Sequence, residues 1–373
     1  MKTVLTIFGT RPEAIKLAPV ILELQKHRKK IHPLVCVTAQ HRLMLDQVLE
    51  LFNIKPNFDL DLMQPDQNLF DLTSEAIASI KNIIDGVKPD LILVQGDTTT
   101  AFVAGLAAFY SQILLGHVEA GLRTGKKYNP FPEEINRKLI AVLADFHFAP
   151  TDRNKQNLLN ENYPEENIFV TGNTVIDALK IIADKDYLLT GFGLEKINKN
   201  KKIILVTAHR RETFGIYIED ICNALIEIAE TRNDCEIVFP VHLNPNIRQP
   251  IRKLLGNIPN IHLLEPLPYS LFVSLMKRSY MILTDSGGIQ EEAPALGKPV
   301  LVLRETTERT EALDAGTIKL VGRKRNDIVT EINLLLDDDN LYKRFARAIN
   351  PYGDGKAAAK IVNHLFDILN LID

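Results

Sequence analysis

The sequence predicts an α/β protein with two Rossmann-like, doubly wound parallel-sheet domains facing a cleft. Three observations carry this. Short β-branched runs alternate with amphipathic stretches along the whole chain, as βα units do. The series occurs twice, once in each half, and 373 residues suit two domains at about 150 residues each. The glycine-bearing and charged strings sit directly after the strands, where open parallel sheets bind ligands.

In the first half, strands are expected at Val4–Phe8, Leu34–Thr38, Leu91–Gln95, Leu114–Val118 and Phe146–Ala149, with helices such as Ala14–Lys26 and Leu43–Leu51 between them. The second half offers Ile203–Thr207, Glu236–Pro240, Ile261–Leu264, Met281–Thr284, Val300–Leu303 and Ile318–Val321. The first domain is placed at 1–172 and the second at 173–350, with a boundary where a strand ends at Gly172-Asn173 and the helix Thr174–Ala183 begins. The segment 351–373, with a helix over Ala357–Leu371, is expected to cross back to the first domain.

Lys+Arg 44 against Asp+Glu 47 leaves a net charge of -3. Nothing in that balance calls for nucleic acid, and an anionic ligand needs a local site. The three cysteines, Cys36, Cys222 and Cys235, lack C-x-x-C spacing and read as reduced core thiols. The apolar start at Val4–Phe8 is too short for a signal peptide, and no run approaches the ~20 apolar residues of a membrane span. A cytoplasmic protein without membrane contact is expected. The nine histidines show no paired ligand spacing, and Asp59-Leu60-Asp61, literally D-x-D, reads as a solvated strand edge, so neither metal nor cofactor is expected.

Candidate site residues stand just past the strands. After Val4–Phe8 comes Gly9-Thr10-Arg11-Pro12-Glu13, a turn into a helix start where Arg11 and Lys16 add positive charge to an anion site. Leu91–Gln95 ends in Gly96-Asp97-Thr98, where Asp97 is either a helix cap or a working carboxylate. Leu114–Val118 ends in Glu119-Ala120-Gly121, while His117 inside that strand reads as a hydrogen-bonded core histidine. Pro130 and Pro132 stiffen a loop that delivers Glu133 and Glu134 to a helix, with Glu133 and Arg137 four apart on one face. Ile203–Thr207 ends in Ala208-His209-Arg210-Arg211, suited to acid/base or phosphate-binding work. Glu236–Pro240 ends in Val241-His242-Leu243-Asn244. Met281–Thr284 ends in Asp285-Ser286-Gly287-Gly288, whose successive amides at a helix start can cradle a phosphate. Glu292 lies one turn further on, placed for ribose hydroxyls, and Arg309 is a further nucleotide contact. Walker A and G-x-G-x-x-G signatures are both absent.

Together these strings resemble the non-hydrolysing UDP-N-acetylglucosamine 2-epimerases. The resemblance rests on G-T-R-P-E-A-I-K at 9–16, T-A-Q-H-R at 38–42, Q-G-D-T-T-T at 95–100, G-H-V-E-A-G-L-R-T-G at 116–125 and P-E-E-I-N-R at 132–137. In the second half it rests on T-A-H-R-R-E at 207–212, V-H-L-N-P-N at 241–246, D-S-G-G-I-Q-E-E at 285–292 and T-T-E-R at 306–309. It implies the glycosyltransferase B type of fold, a homodimer, and interconversion of UDP-N-acetylglucosamine and UDP-N-acetylmannosamine for surface polysaccharides. It implies elimination of UDP to 2-acetamidoglucal and re-addition, with Asp97, Glu119 and Glu133 as the carboxylates and Arg137 orienting Glu133. Arg11, Lys16, His209, Phe272, Ser286, Gly287, Gly288, Glu292 and Arg309 are then the substrate contacts.

Leu267 and Thr310 depart from the family's usual Gln and Pro. Gln40, His41, Arg210 and His242 resemble part of an activating second-substrate site, although Leu43 and Asp66 do not match it. Three other readings stay open: a hydrolysing relative that releases N-acetylmannosamine and UDP, a glycosyltransferase of the same fold, and a non-catalytic sugar-nucleotide sensor.

Overall fold

The computed structural model describes residues 1–39, 42–62, 67–185, 187, 190–198, 200–209 and 216–371. They pack into two units, Met1–Lys180 with Tyr352–Asp373, and Ile181–Pro351.

The first unit is built on a seven-stranded parallel sheet: β1 Lys2–Phe8, β2 Ile31–Val37, β3 Phe58–Asp59, β4 Leu91–Gln95, β5 Leu114–Val118, β6 Phe146–Ala149 and β7 Ile168–Val170. The order is β3-β2-β1-β4-β5-β6-β7. The second unit's six strands are β8 Lys202–Thr207, β9 Cys235–Pro240, β10 Ile261–Leu264, β11 Met281–Thr284, β12 Val300–Val302 and β13 Ile318–Leu320, in the order β10-β9-β8-β11-β12-β13. Each sheet therefore reverses direction once, between β1 and β4 and between β8 and β11. Such switch points leave a crevice at the carboxyl ends of the strands.

The central strands read as unbroken apolar runs because helices cover both faces. In the first unit Leu5, Ile7, Ile92 and Val94 pack against Leu72, Ala76, Ile80 and Ile84, one stripe at four-residue spacing on the helix Leu69–Val87. In the second, Ile204, Val206, Phe239 and Leu283 pack against Ile221, Leu225 and Ile228 of the helix Ile216–Thr231. All three cysteines are free and buried, and burial pushes the Cys36 and Cys222 thiols up to about 12. Asp59, on the edge strand β3, is paired with Arg42 at 2.7 Å.

The helix Ala357–Ile368 belongs to the first unit. Its first amides, those of Ala357 and Ala358, donate to the Asp177 carboxylate at 3.1 and 2.9 Å, and His364 stacks on Phe169. Burial raises the Asp177 pKa, which those amides partly offset. Asp177 lies within the helix Thr174–Ala183, and Lys180 also donates to the Asp354 carbonyl, so the packing division falls inside that helix, later than 172/173. Among the described residues no helix is long and apolar enough to cross a membrane.

Candidate active site

In the first unit, Pro12 sits in the first turn of the helix Arg11–Lys26, where its missing N–H costs nothing. Glu13 folds back from that turn. Its Oε2 accepts from the Gly9 and Thr10 amides at 3.1 and 2.7 Å, and its Oε1 accepts from the Thr98 hydroxyl at 2.7 Å. One buried carboxylate thus ties the loop after β1 to the loop after β4, across the switch point. Burial raises its pKa against these donors.

Glu119 ends β5 with φ at +66°, a left-handed conformation uncommon for a residue other than glycine. Its carboxylate gathers three donors. Lys16 Nζ lies 2.5 Å from Oε1, Asn173 Nδ2 donates to the same oxygen at 3.1 Å, and Gln95 donates to Oε2. Two residues later Gly121, φ +89°, is required: a Cβ there would lie 2.2 Å from the Asn154 carbonyl oxygen.

Asp97, after β4, accepts from Arg137 through Nε at 3.1 Å and through a second guanidinium nitrogen. Burial raises the Asp97 pKa, Arg137 opposes this, and the nearby Glu119 charge adds to it. Arg137 also donates to Glu134 at 3.1 Å, and the Thr124 and Gly125 amides donate to Glu134 at 3.0 Å. This corrects the sequence expectation that Arg137 orients Glu133. Arg137 is buried and faces inward toward Asp97 and Glu134, whereas Glu133 Oε2 is buried with no hydrogen-bond partner. His117 is a core histidine, its Nε2 2.7 Å from the Gly96 carbonyl, and burial lowers its pKa to about 3. Arg11 is partly exposed beside the helix start.

In the second unit the fully buried Asp285 accepts from the His209 amide at 2.9 Å and lies 3.2 Å from His209 Nδ1, which again joins two loops across a switch point. The helix Gly287–Ala295 begins at once. Of the three amides expected for an anion, that of Ser286 is already taken by the Thr284 hydroxyl at 2.9 Å, which leaves the helical first turn at Gly287 and Gly288. Arg309 lies against that turn: a Cβ on Gly287 would come within 3.0 Å of its Cζ. Glu291 and Glu308 fix its guanidinium at 2.9 and 2.8 Å. A helix N-terminus backed by a guanidinium favours an anion twice over. Glu292 accepts from the Tyr269 hydroxyl at 2.9 Å and faces Gly288, and Phe272 is half-buried one turn along from Tyr269. Leu267 is buried.

The structure also pairs His209 with the exposed His242, rings stacked at 6.0 Å. Gln40, His41, Asp66, Arg210, Arg211 and Glu212 lie outside the described residues, as does the side chain of Leu43. Sequence reasoning missed Glu13, Gln95, Asn173, Tyr269 and Glu291. Glu13, Gln95 and Glu291 stand within strings already singled out and Asn173 at the expected boundary, whereas Tyr269, which opens the helix Tyr269–Arg278, stands in none. Among the described residues no group of histidine, cysteine and acidic side chains is arranged to hold a metal ion. A cavity of about 910 Å³ lies elsewhere, lined by Ile77, Lys81, Lys88, Ala107, Tyr110 and Ile113. Lys88 and Ile113 precede β4 and β5, so it opens at the amino ends of the strands.

The sequence pattern of the family described as UDP-N-acetylglucosamine 2-epimerase matches residues 23–366. A UDP-N-acetylglucosamine 2-epimerase of Salmonella typhimurium is 55% identical over 370 residues, covering 97% of this chain and 98% of that protein. The crystal structure of the UDP-GlcNAc 2-epimerase from Neisseria meningitidis, bound to UDP-GlcNAc, superposes with a TM-score of 0.88 at 52% identity, covering 98% of this chain and 100% of that one. A glycosyltransferase from Rickettsia africae shares the fold alone, with a TM-score of 0.65 at 17% identity over 99% of this chain and 98% of that one.

Proposed function

The chain belongs to the UDP-N-acetylglucosamine 2-epimerase family, and we propose that it interconverts UDP-N-acetylglucosamine and UDP-N-acetylmannosamine without releasing free sugar. The C2 hydrogen of the substrate is not acidic, because C1 is an acetal carbon. Epimerisation therefore runs by elimination: a carboxylate takes the C2 proton, the C1–O bond breaks with its electrons on the departing UDP oxygen, and 2-acetamidoglucal remains. UDP adds back at C1 as a proton reaches C2 from the other face.

The observation that carries this reading is the convergence of Glu119 and Asp97. Glu119 lies beside Gly96, its Oε2 3.7 Å from where a Cβ would stand, and its charge raises the Asp97 pKa. Two carboxylates in unlike settings suit a base and an acid on opposite faces of one carbon. Glu119 is held by amides and a lysine, while Asp97 is held by a guanidinium. Glu133, with an unpartnered buried oxygen, is the third candidate. In the second unit Gly287, Gly288, Arg309 and His209 stabilise the diphosphate as it leaves. Donors aimed at developing charge are typically worth about 3–4 kcal/mol each. Glu292 and Phe272 serve the ribose and uracil. The resemblance supports a cytoplasmic homodimer that supplies surface polysaccharides, with His242 next to His209 in an activating second site.

The test is UDP-N-acetylglucosamine in deuterated water, followed at C2 by NMR. Deuterium at C2 together with a UDP-N-acetylmannosamine signal is expected. Accumulation of free N-acetylmannosamine would establish the hydrolysing reaction instead, and absence of exchange would sink elimination.

A further inference from the structure

Asn173 stands at the point where the chain leaves the first unit's sheet, after β7, and three of its bonds run in three directions. Its backbone amide donates to the Tyr352 carbonyl at 2.7 Å, tying the outgoing segment to the returning one. Its Oδ1 accepts from the Val175 amide at 3.1 Å, capping the helix Thr174–Ala183. Its Nδ2 donates to Glu119 Oε1 at 3.1 Å. Asn173 is 3% exposed, so the last bond is made out of water. That carboxylate oxygen is held from two separate elements, by Lys16 on the helix Arg11–Lys26 and by Asn173 after β7.

We propose that Asn173 is a positioning residue for the proton transfer at C2: it fixes the rotamer of the Glu119 carboxylate and favours its ionised form, linking that carboxylate to the crossing segments at Gly172–Thr174 and Tyr352–Asp354. The proposal rests on the reading of Glu119 as a catalytic carboxylate. The groups that face Glu119 are Lys16 from the helix Arg11–Lys26, Gln95 at the end of β4, Asp97 after it, and the neutral His117 on its own strand. Of these donors, only Asn173 belongs to a crossing segment.

Two variants keep the helix cap. Asn173→Ser retains a capping oxygen but is too short to reach Glu119, and Asn173→Asp keeps the shape but turns an acceptor toward Glu119. Loss of one bond to a charged group predicts that kcat of Asn173→Ser falls about tenfold with KM within about twofold. The acid limb of the kcat/KM profile moves to higher pH, because a donor to the ionised form is gone. Asn173→Asp shows both effects more strongly and also melts lower, because it buries a second carboxylate beside Glu119, whereas the melting temperature of Asn173→Ser stays near that of the parent. A parent-like rate and pH limb in Asn173→Ser would overturn the proposal. So would losses that track a fall in melting temperature without a pH shift, since that describes a structural cap alone. Glu119→Gln is measured in parallel. Full activity there would overturn the reading of Glu119 itself, whereas an inactive Glu119→Gln beside a parent-like Asn173→Ser would overturn only the role of Asn173.

Discussion

Replacing Arg137 with methionine removes a guanidinium whose side chain is 7% exposed and which holds Asp97 and Glu134 together. Breaking a buried ion pair from one side costs about 3–5 kcal/mol, because the remaining charge loses its partner. Here the lower end applies. Glu134 keeps the Thr124 and Gly125 amides, and the Asp97 side chain is 25% exposed and can draw on water. The expected loss is about 3 kcal/mol, or roughly 6–12 °C in melting temperature for a unit of this size. Asp97 already sits above its ordinary pKa, and Arg137 is the chief influence pulling it down, so its removal raises Asp97 further. The limb of the activity profile that Asp97 sets then moves to higher pH. Arg137→Lys keeps the charge but not the fork, and falls between. The assay is thermal unfolding of Arg137→Met, Asp97→Asn and the double variant. The two single losses should exceed additivity by about 1–3 kcal/mol, as contacting residues do. Additive losses, or less than about 1 kcal/mol for Arg137→Met, would refute the claim that this arginine holds Asp97.

Three other contacts carry shorter predictions. Gly287→Ala brings a methyl within 3.0 Å of a guanidinium that Glu291 and Glu308 hold in place, so UDP affinity by calorimetry should fall about tenfold while the fold survives. Tyr269→Phe removes a hydroxyl that orients Glu292, and a loss of about 1 kcal/mol in UDP binding is expected; an unchanged affinity would remove Glu292 from the nucleotide's contacts. His147, 1% exposed and packed against the tilted ring of Tyr163, has its pKa lowered by burial to about 4. A histidine with a depressed folded pKa contributes stability in full above its unfolded value near 6.5 and loses it as pH falls toward the folded value. Between pH 7 and pH 5 that loss is about 2 kcal/mol, and His147→Phe should flatten the decline by that amount in urea titrations at the two pH values.

Five strands were legible because a covered strand is mostly apolar; β4, β5, β6 and β11 inside the sheets and β10 at an edge begin and end as expected. β3 and β7 were harder. The first is two residues on a polar edge, and the second is three residues, too short to show a period, although the helix after it at Thr174–Ala183 was legible. Within the site, carboxylates were found because each stands just past a strand. Their partners were not, because pairing is a tertiary matter. Spacing of four residues paired Glu133 with Arg137, yet Asp97 lies 40 residues from Arg137 and draws it inward, so the neighbour it meets on its own helix is Glu134, at spacing three. Gln95 and Asn173 bear no charge, and they reach Glu119 from 24 and 54 residues away. Their places, in a quoted string and at the expected boundary, were legible, but nothing in a single sequence marks Glu119 as their common partner.

The two units solve one local problem alike and then diverge. Each joins the loops at its switch point with a carboxylate, Glu13 reaching Thr98 in the first and Asp285 reaching His209 in the second. Each also pairs two threonine hydroxyls near its switch point, Thr38 after β2 with Thr100 in the helix Thr99–Tyr110 at 2.9 Å, and Thr207 with Thr284 at the ends of β8 and β11 at 2.7 Å. The difference lies in the residues directly past the strand on the far side of the switch point. After β4, Thr98 caps the helix Thr99–Tyr110 by accepting from the Ala101 amide, and Asp97 stands before it. That helix start is closed to an anion twice, by a cap that uses an amide and by a like charge. After β11, two glycines open the helix, no side chain caps it, and Arg309 adds charge where Asp97 would repel. A residue or two at equivalent places therefore separates a switch point that suits an anion from one that gathers carboxylates. That is why the fold class could be read from periodicity, while the division of labour had to be read from the residues at the end of each strand.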